Sequence, residues 1–156
     1  MDAEVAVKKH ANSLTLGELK CRRFEGKTVI ITGGGGAIGY AVAERLACEG
    51  GNVVLTDVMP NDALQAKGKQ LEEATGAQGR VLCVQGDCTD VAAVQNVIAK
   101  TVEKFGRLDG LFNNAGYQGA FKPTHLYPDA DFPRVLNINV TGVFHFLKYS
   151  ALQMGK

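Results

Sequence analysis

From Lys27 onward, short β-branched and apolar runs alternate with longer segments whose apolar positions recur every three or four places, the pattern of strands alternating with helices. The first run, Val29-Ile30-Ile31, is stiff at χ1 and apolar on both sides, as the central strand of a parallel sheet requires. A helix with Ile38, Val42 and Leu46 on one face follows. The pattern then predicts a second strand at Asn52–Asp57, a polar surface helix over 61–75 anchored by Leu64 and Leu71, and a third strand over 80–85. Asp90 can cap the next helix, whose stripe is Val94, Val97, Ile98, Val102 and Phe105, and a fourth strand is expected over 108–113. The last element is a long helix over 129–154. Asp129 or Asp131 can cap it, Pro133 is tolerable only in its first turn, and Val135, Leu136, Ile138, Val143, Phe146 and Leu147 make it apolar over a wide arc. Such a helix needs cover from the sheet on one side and from another helix or subunit on the other. The alternation predicts an α/β fold with a doubly wound parallel sheet, and right-handed crossovers place its strands in the order 3-2-1-4.

Residues 1–26 show only weak helical periodicity and are expected to form an N-terminal extension ahead of one domain over 27–156. A partly helical arm and a transit segment both fit there, with Asp2, Glu4 and Glu18 weighing against the second.

Chemistry enters at the end of the first strand, where four glycines, Gly33 to Gly36, meet the start of a helix. Such residues can turn with positive φ and bring backbone N–H groups close to an anion, at which the helix also points its positive end. A glycine turn alone also occurs in loops that bind nothing. Here Gly34, Gly36 and Gly39 fit the spacing G-x-G-x-x-G between a strand and a helix, and the second strand ends in Asp57 at about the twenty-residue offset of a ribose-binding acid. That combination favours a dinucleotide site, and no Lys-Ser or Lys-Thr follows the glycines as a nucleotide triphosphatase would need. The third strand delivers Gly86, Asp87 and Cys88 to the same sheet edge. The fourth delivers Asn113-Asn114-Ala115-Gly116, whose amides can bridge strands or reach the ribose beside the nicotinamide, or simply form a turn. The loop from Tyr117 to Pro128 is placed to roof a substrate pocket. Asn139, in the middle of the apolar helix, must be either a structural hydrogen-bonder or a residue that holds water.

A formal net charge of +1 with scattered basic residues lacks the footprint of a nucleic-acid or membrane-surface binder, and no apolar run approaches a membrane span. Cys21, Cys48, Cys83 and Cys88 have no CxxC spacing, so they are expected to be reduced small hydrophobes in a cytoplasmic protein. His10, His125 and His145 lie far apart without acidic or cysteine neighbours at ligand spacing, so no metal site is expected, and His145 is expected to be packed.

Three spaced motifs together resemble the short-chain dehydrogenase/reductase family. They are Thr32, Gly33, Ala37 and Gly39; Asn113 to Gly116; and Asn139 with Gly142. The stretches 111–121 and 138–142 look most like the xylitol and related polyol dehydrogenases within it. The resemblance implies a Rossmann-type fold, of which residues 27–156 are the cofactor-binding half, and NAD as cofactor. It implies a binding set of Gly33, Gly36, Ile38, Gly39, Asp57, Asp87, Cys88, Asn114, Ala115 and Gly116. Asp87 and Cys88 would lie by the adenine, Asp57 would take the ribose hydroxyls, and Asn114 and Gly116 would meet the nicotinamide half. Asn139 would hold a water in a proton relay. The implied reaction moves a hydride between NAD and a secondary alcohol or carbonyl. A carboxylate at 57 and a glycine loop without Arg or Lys agree with NAD over NADP.

The family's chemistry also needs a Tyr general acid/base, lowered from about pKa 10 by a Lys four residues on, and a Ser that orients the substrate oxygen. The tyrosines here, Tyr40, Tyr117, Tyr127 and Tyr149, are followed four places on by Glu44, Phe121, Asp131 and Gln153, and the serines, Ser13 and Ser150, match no such site. Catalysis is therefore expected only with residues absent from these 156, which read as truncated ahead of a fifth strand. A non-catalytic NAD(H)-binding or interaction module and an inert fragment stand as alternatives. Either way the long helix is expected to meet a second copy or a partner chain, and the fourth strand to be an open edge.

Overall fold

The computed structural model describes residues 21–156, so residues 1–20 of the extension expected over 1–26 lie outside the described part. Strands β1 (Thr28–Thr32), β2 (Asn52–Asp57), β3 (Val81–Gln85) and β4 (Gly110–Phe112) form one sheet in the order β3-β2-β1-β4, all neighbours parallel. Helices α1 (Ala37–Cys48), α2 (Asn61–Thr75) and α3 (Val91–Phe105) alternate with them. The chain closes on one continuous helix made of α4 (Asp131–Leu136), a π-helical segment (Asn137–Gly142) and α5 (Val143–Met154).

The two-residue period of a strand sorts the core into two layers. On β1, Val29 and Ile31 face a cluster with Ala43, Leu46, Leu64 and Leu71 from α1 and α2, while Ile30 faces Val94, Val97, Ile98 and Phe146 from α3 and α5. β3 repeats the alternation with Val81 and Cys83 toward one layer and Leu82 and Val84 toward the other.

Where elements differ from expectation, a side chain has taken over a backbone role. β4 is shorter than residues 108–113 because the Asp109 carboxylate accepts the Thr28 N–H at 2.9 Å and the Asn113 side chain bridges the Thr32 hydroxyl and the Val143 carbonyl. Arg80 stands just ahead of β3, its guanidinium donating to the carbonyls of Ala47 and Gly51 behind α1. Asp90 caps α3 by accepting the Ala92 N–H at 2.9 Å. Neither acid caps the last helix: Ala130 holds the cap position, and Asp131, inside the first turn, accepts the Ala120 N–H at 2.6 Å and the Tyr127 hydroxyl at 3.1 Å. Within α3, Thr101 is buried in the stripe and its hydroxyl donates to the Val97 carbonyl, while Val102 and Phe105 are half-buried.

Helix α1 also departs from expectation. Its buried face is Gly39, Ala43, Leu46 and Ala47, so Ile38, expected on the packed face, is 69 % exposed and turns to the sheet edge. The segment before β1 is tied to this helix: Phe24 packs on the core and its N–H meets the Glu49 carbonyl at 3.1 Å. The fully buried Glu49 carboxylate accepts from Arg23 and Arg45.

Phe146→Ala should cost about 3–5 kcal/mol, because this buried ring fills the space between α5 and the sheet, and chemical denaturation measures it. The hydrogen bonds from Arg23 and then Arg45 hold the Glu49 carboxyl well below its ordinary 4.5, at about 2. A folded-state value below the unfolded one adds stability that is complete above the ordinary value and is lost as pH falls toward 2. Thermal melts of Glu49→Gln should therefore lie below wild type at neutral pH and converge on it as pH drops toward 2.

Candidate functional site

The carboxyl ends of the four strands open into a cleft of about 750 Å³. At the end of β1 the chain turns through Gly33 at φ +63, where side chains are rarely tolerated. Gly33 alone among the four consecutive glycines uses the positive φ open to them. The others are required by contact. A Cβ on Gly39 would stand 2.4 Å from the Gly33 carbonyl oxygen, so α1 lies directly on the turn. Gly36 occupies the N-cap position without a side-chain cap, which leaves first-turn N–H groups of α1 for an anion.

The Asp57 carboxylate sits beside this turn and helps to build it. One oxygen accepts the Gly35 N–H at 3.0 Å and the other the Met59 N–H at 3.2 Å, so the acid at the end of β2 fixes both the glycine loop and its own. Across the cleft, the Thr32 hydroxyl accepts from the N–H groups of Asn114 (2.8 Å) and Ala115 (2.9 Å) and donates to the Asn113 side chain (3.2 Å). The Asn114 side chain donates to the Thr32 carbonyl at 3.1 Å. The Asn-Asn-Ala-Gly segment thus bridges β4 to β1.

The cleft gathers Gly33, Gly36, Ile38, Asp57, Asp87, Cys88, Asn114, Ala115 and Gly116 along its wall. Two residues of the implied binding and relay set do not line it. Gly39 is buried beneath the turn, and Asn139 lies behind the loop that follows Gly116. The Asn139 side-chain amide accepts the Tyr117 N–H at 2.8 Å and donates to the Tyr117 carbonyl at 2.9 Å, so both of its polar ends are satisfied by one residue of the loop. It does so from the π-helical segment, a local widening that frequently marks functional positions. Burial, and then the neighbouring Asp87 charge, push the Cys88 thiol up from its ordinary value, so it walls the cleft as a neutral group against which Gly142 packs. His145 is packed as expected, with Nδ1 3.1 Å from the Cys88 carbonyl. Among the described residues no cluster of metal-ligating side chains forms, and no helix is long and apolar enough to cross a membrane.

Several lining residues had no individual role assigned from sequence, Thr32, Tyr117 and Arg134 among them. Thr32 was visible only as a motif letter, because nothing in a β-branched strand ending marks its hydroxyl as a hub. Tyr117 and Arg134 line the mouth, the guanidinium 4.4 Å from the ring centroid. The one signal for Arg134 is a cation near the start of a helix, where the dipole disfavours it.

A family model described as short chain dehydrogenase matches residues 27–156. Levodione reductase from Leifsonia aquatica is 43% identical over 122 residues, covering 78% of this chain and 45% of that protein. Secoisolariciresinol dehydrogenase from Forsythia intermedia is 37% identical over 134 residues, covering 85% and 46%. Among solved structures, NAD+-bound xylitol dehydrogenase superposes with a TM-score of 0.78 at 45% identity, covering 85% of this chain and 49% of that one. A short-chain dehydrogenase from Burkholderia phymatum in complex with NAD gives 0.76 at 36% identity, covering 84% and 45%. The chain spans about half the length of the curated relatives it matches. With its parallel sheet in the order 3-2-1-4 and its glycine turn, the chain belongs to the short-chain dehydrogenase family of nicotinamide-dependent oxidoreductases.

Proposed function

We propose that this chain is the NAD(H)-binding part of an oxidoreductase that moves a hydride between NAD and the carbon of a secondary alcohol or carbonyl, polyols among them. The observation that carries this reading is the convergence of the glycine turn, Asp57 and the Asn114–Gly116 segment on a single cleft. Its volume lies within the range of cofactor sites. The open N-terminus of α1 suits a pyrophosphate. Asp57 keeps lone pairs for the two ribose hydroxyls and would repel a 2′-phosphate, with no Arg or Lys on residues 33–39 to offset the repulsion. Asp87 and Cys88 wall the adenine side, and Asn114, Ala115 and Gly116 the nicotinamide side. When bound, the nicotinamide supplies the carbon that accepts or gives the hydride.

Asn139 enters the reaction as the residue that holds a water of the proton relay. Tyr117 occupies both ends of its side-chain amide, which fixes the residue in the π segment beside the cleft. These 156 residues hold no Tyr-x-x-x-Lys, so this polypeptide supplies cofactor binding and positioning, while proton transfer needs groups from further polypeptide. Calorimetric titration of the purified chain should show NAD binding and a weaker response to NADP, without turnover of polyols. Asp57→Ala should lose roughly tenfold in NAD affinity and narrow the gap to NADP. Unchanged selectivity in that variant, or turnover by the isolated chain, would overturn the assignment.

The last helix supports assembly with a second copy. Phe132, Leu136, Val140, Phe144 and Leu147 recur on one face of it and are all exposed, a contiguous apolar patch of the kind that marks interaction surfaces. Sedimentation should show concentration-dependent self-association that Val140→Glu abolishes; a wild-type chain that stays monomeric at high concentration would refute it.

A further inference from the structure

Positive charge is scarce in the cleft. Among the residues that line it, Asp57 and Asp87 are acidic and Arg134 alone is basic. Arg22, Arg23, Arg45 and Arg107 each meet a carboxylate, whereas Arg134 joins no ion pair among the described residues. Asp131, the acid nearest to it on the same helix, commits its carboxylate to the Ala120 N–H and the Tyr127 hydroxyl.

The position of Arg134 is nevertheless well supported. Its guanidinium stacks on the Tyr117 ring, and the backbone of Tyr117 is clamped on both sides by the Asn139 side chain. A planar fork of N–H donors is thus held at the cleft mouth, with the Asp131 charge one turn away but no carboxylate in ion-pair contact. Structural arginines in this chain are paired or donate to carbonyls, as Arg80 does.

We propose that Arg134 is an anion-binding residue of the cleft, its guanidinium taking an oxyanion of a bound molecule. The inference rests on the NAD(H) reading of the same cleft. Two sources carry the required chemistry: the pyrophosphate of the dinucleotide, and a carboxylate on the substrate. In either case the arginine offsets charge that Asp57 and Asp87 would otherwise repel.

Calorimetric titration of wild type, Arg134→Gln and Arg134→Lys separates the sources. ADP-ribose tests the pyrophosphate, and 3-hydroxybutyrate added to the NAD-saturated chain tests the carboxylate, with 2-butanol as its neutral control. Arg134→Gln should lose roughly tenfold in affinity in one of the two anion titrations and nothing for 2-butanol. Arg134→Lys should fall between, because it keeps the charge without the fork, and added salt should shrink the difference. Arg134 is exposed, so both variants should melt with wild type. Wild type that binds NAD while Arg134→Gln matches it in both anion titrations would overturn this proposal alone. Wild type that fails to bind NAD would overturn the parent reading and this one with it.

Discussion

The contact between Gly39 and the Gly33 carbonyl sets the geometry on which the rest of the site depends. Any Cβ at position 39 would stand 2.4 Å from that oxygen and would lift α1 off the turn. With α1 seated, its first-turn N–H groups meet the sheet edge at a fixed depth, and Ile38 is thrown outward into the cleft wall instead of inward to the core. The left-handed turn at Gly33 follows from the same constraint, since the chain must reverse from a buried strand into a helix lying against it. Van der Waals exclusion at two glycines therefore shapes a site whose recognition chemistry is electrostatic.

Binding and folding share their hydrogen bonds here. Asp57 holds the Gly35 and Met59 amides with the same carboxylate that faces the cleft, and Thr32 gathers Asn113, Asn114 and Ala115 onto the end of β1. A bound dinucleotide would add acceptors and donors to groups already ordered, so little conformational entropy is spent at the moment of binding. The π-helical segment extends the arrangement, because it carries Asn139 to Tyr117 while Gly142, its last residue, packs tightly against Cys88. One local distortion of a helix thereby sets two separate walls of the cleft.

How much of this was legible depended on whether the controlling force was periodic. The bounds of β2 and α2, the cap at Asp90 and the strand order follow from apolar spacing and crossover handedness, which a sequence displays directly. The glycine turn and the place of Asp57 beside it were readable as well, because close backbone approach restricts residue type and the strand–loop–helix unit fixes the offset. What escaped were roles that depend on distant partners. Asp131 has the composition of a cap, but the Ala120 N–H, far along a loop, competes for it and wins. The wide apolar arc around the π segment hid the direction of the Asn139 side chain, and the lone Arg134 has no spacing signature. Long-range hydrogen bonds leave no period, so they become visible only once the chain is folded.

The side of the sheet beyond β4 obeys a different balance. β4 is three residues long and among the described residues pairs with β1 alone, and Phe112 at its end is 37 % exposed. The helix that packs on it shows Val140 and Phe144 to solvent while burying Phe146 and Ser150 toward the sheet. An open parallel edge and an adjacent apolar helix face both lose free energy to water, and covering one without the other leaves the larger share of that loss in place. The cleft lies at the carboxyl ends of these same strands, and Asn113 links β4 to the start of α5 through the Val143 carbonyl. The edge strand and the last helix are thereby tied to the Asn114–Gly116 wall of the cleft, so cover on that side of the sheet would bear on the wall as well.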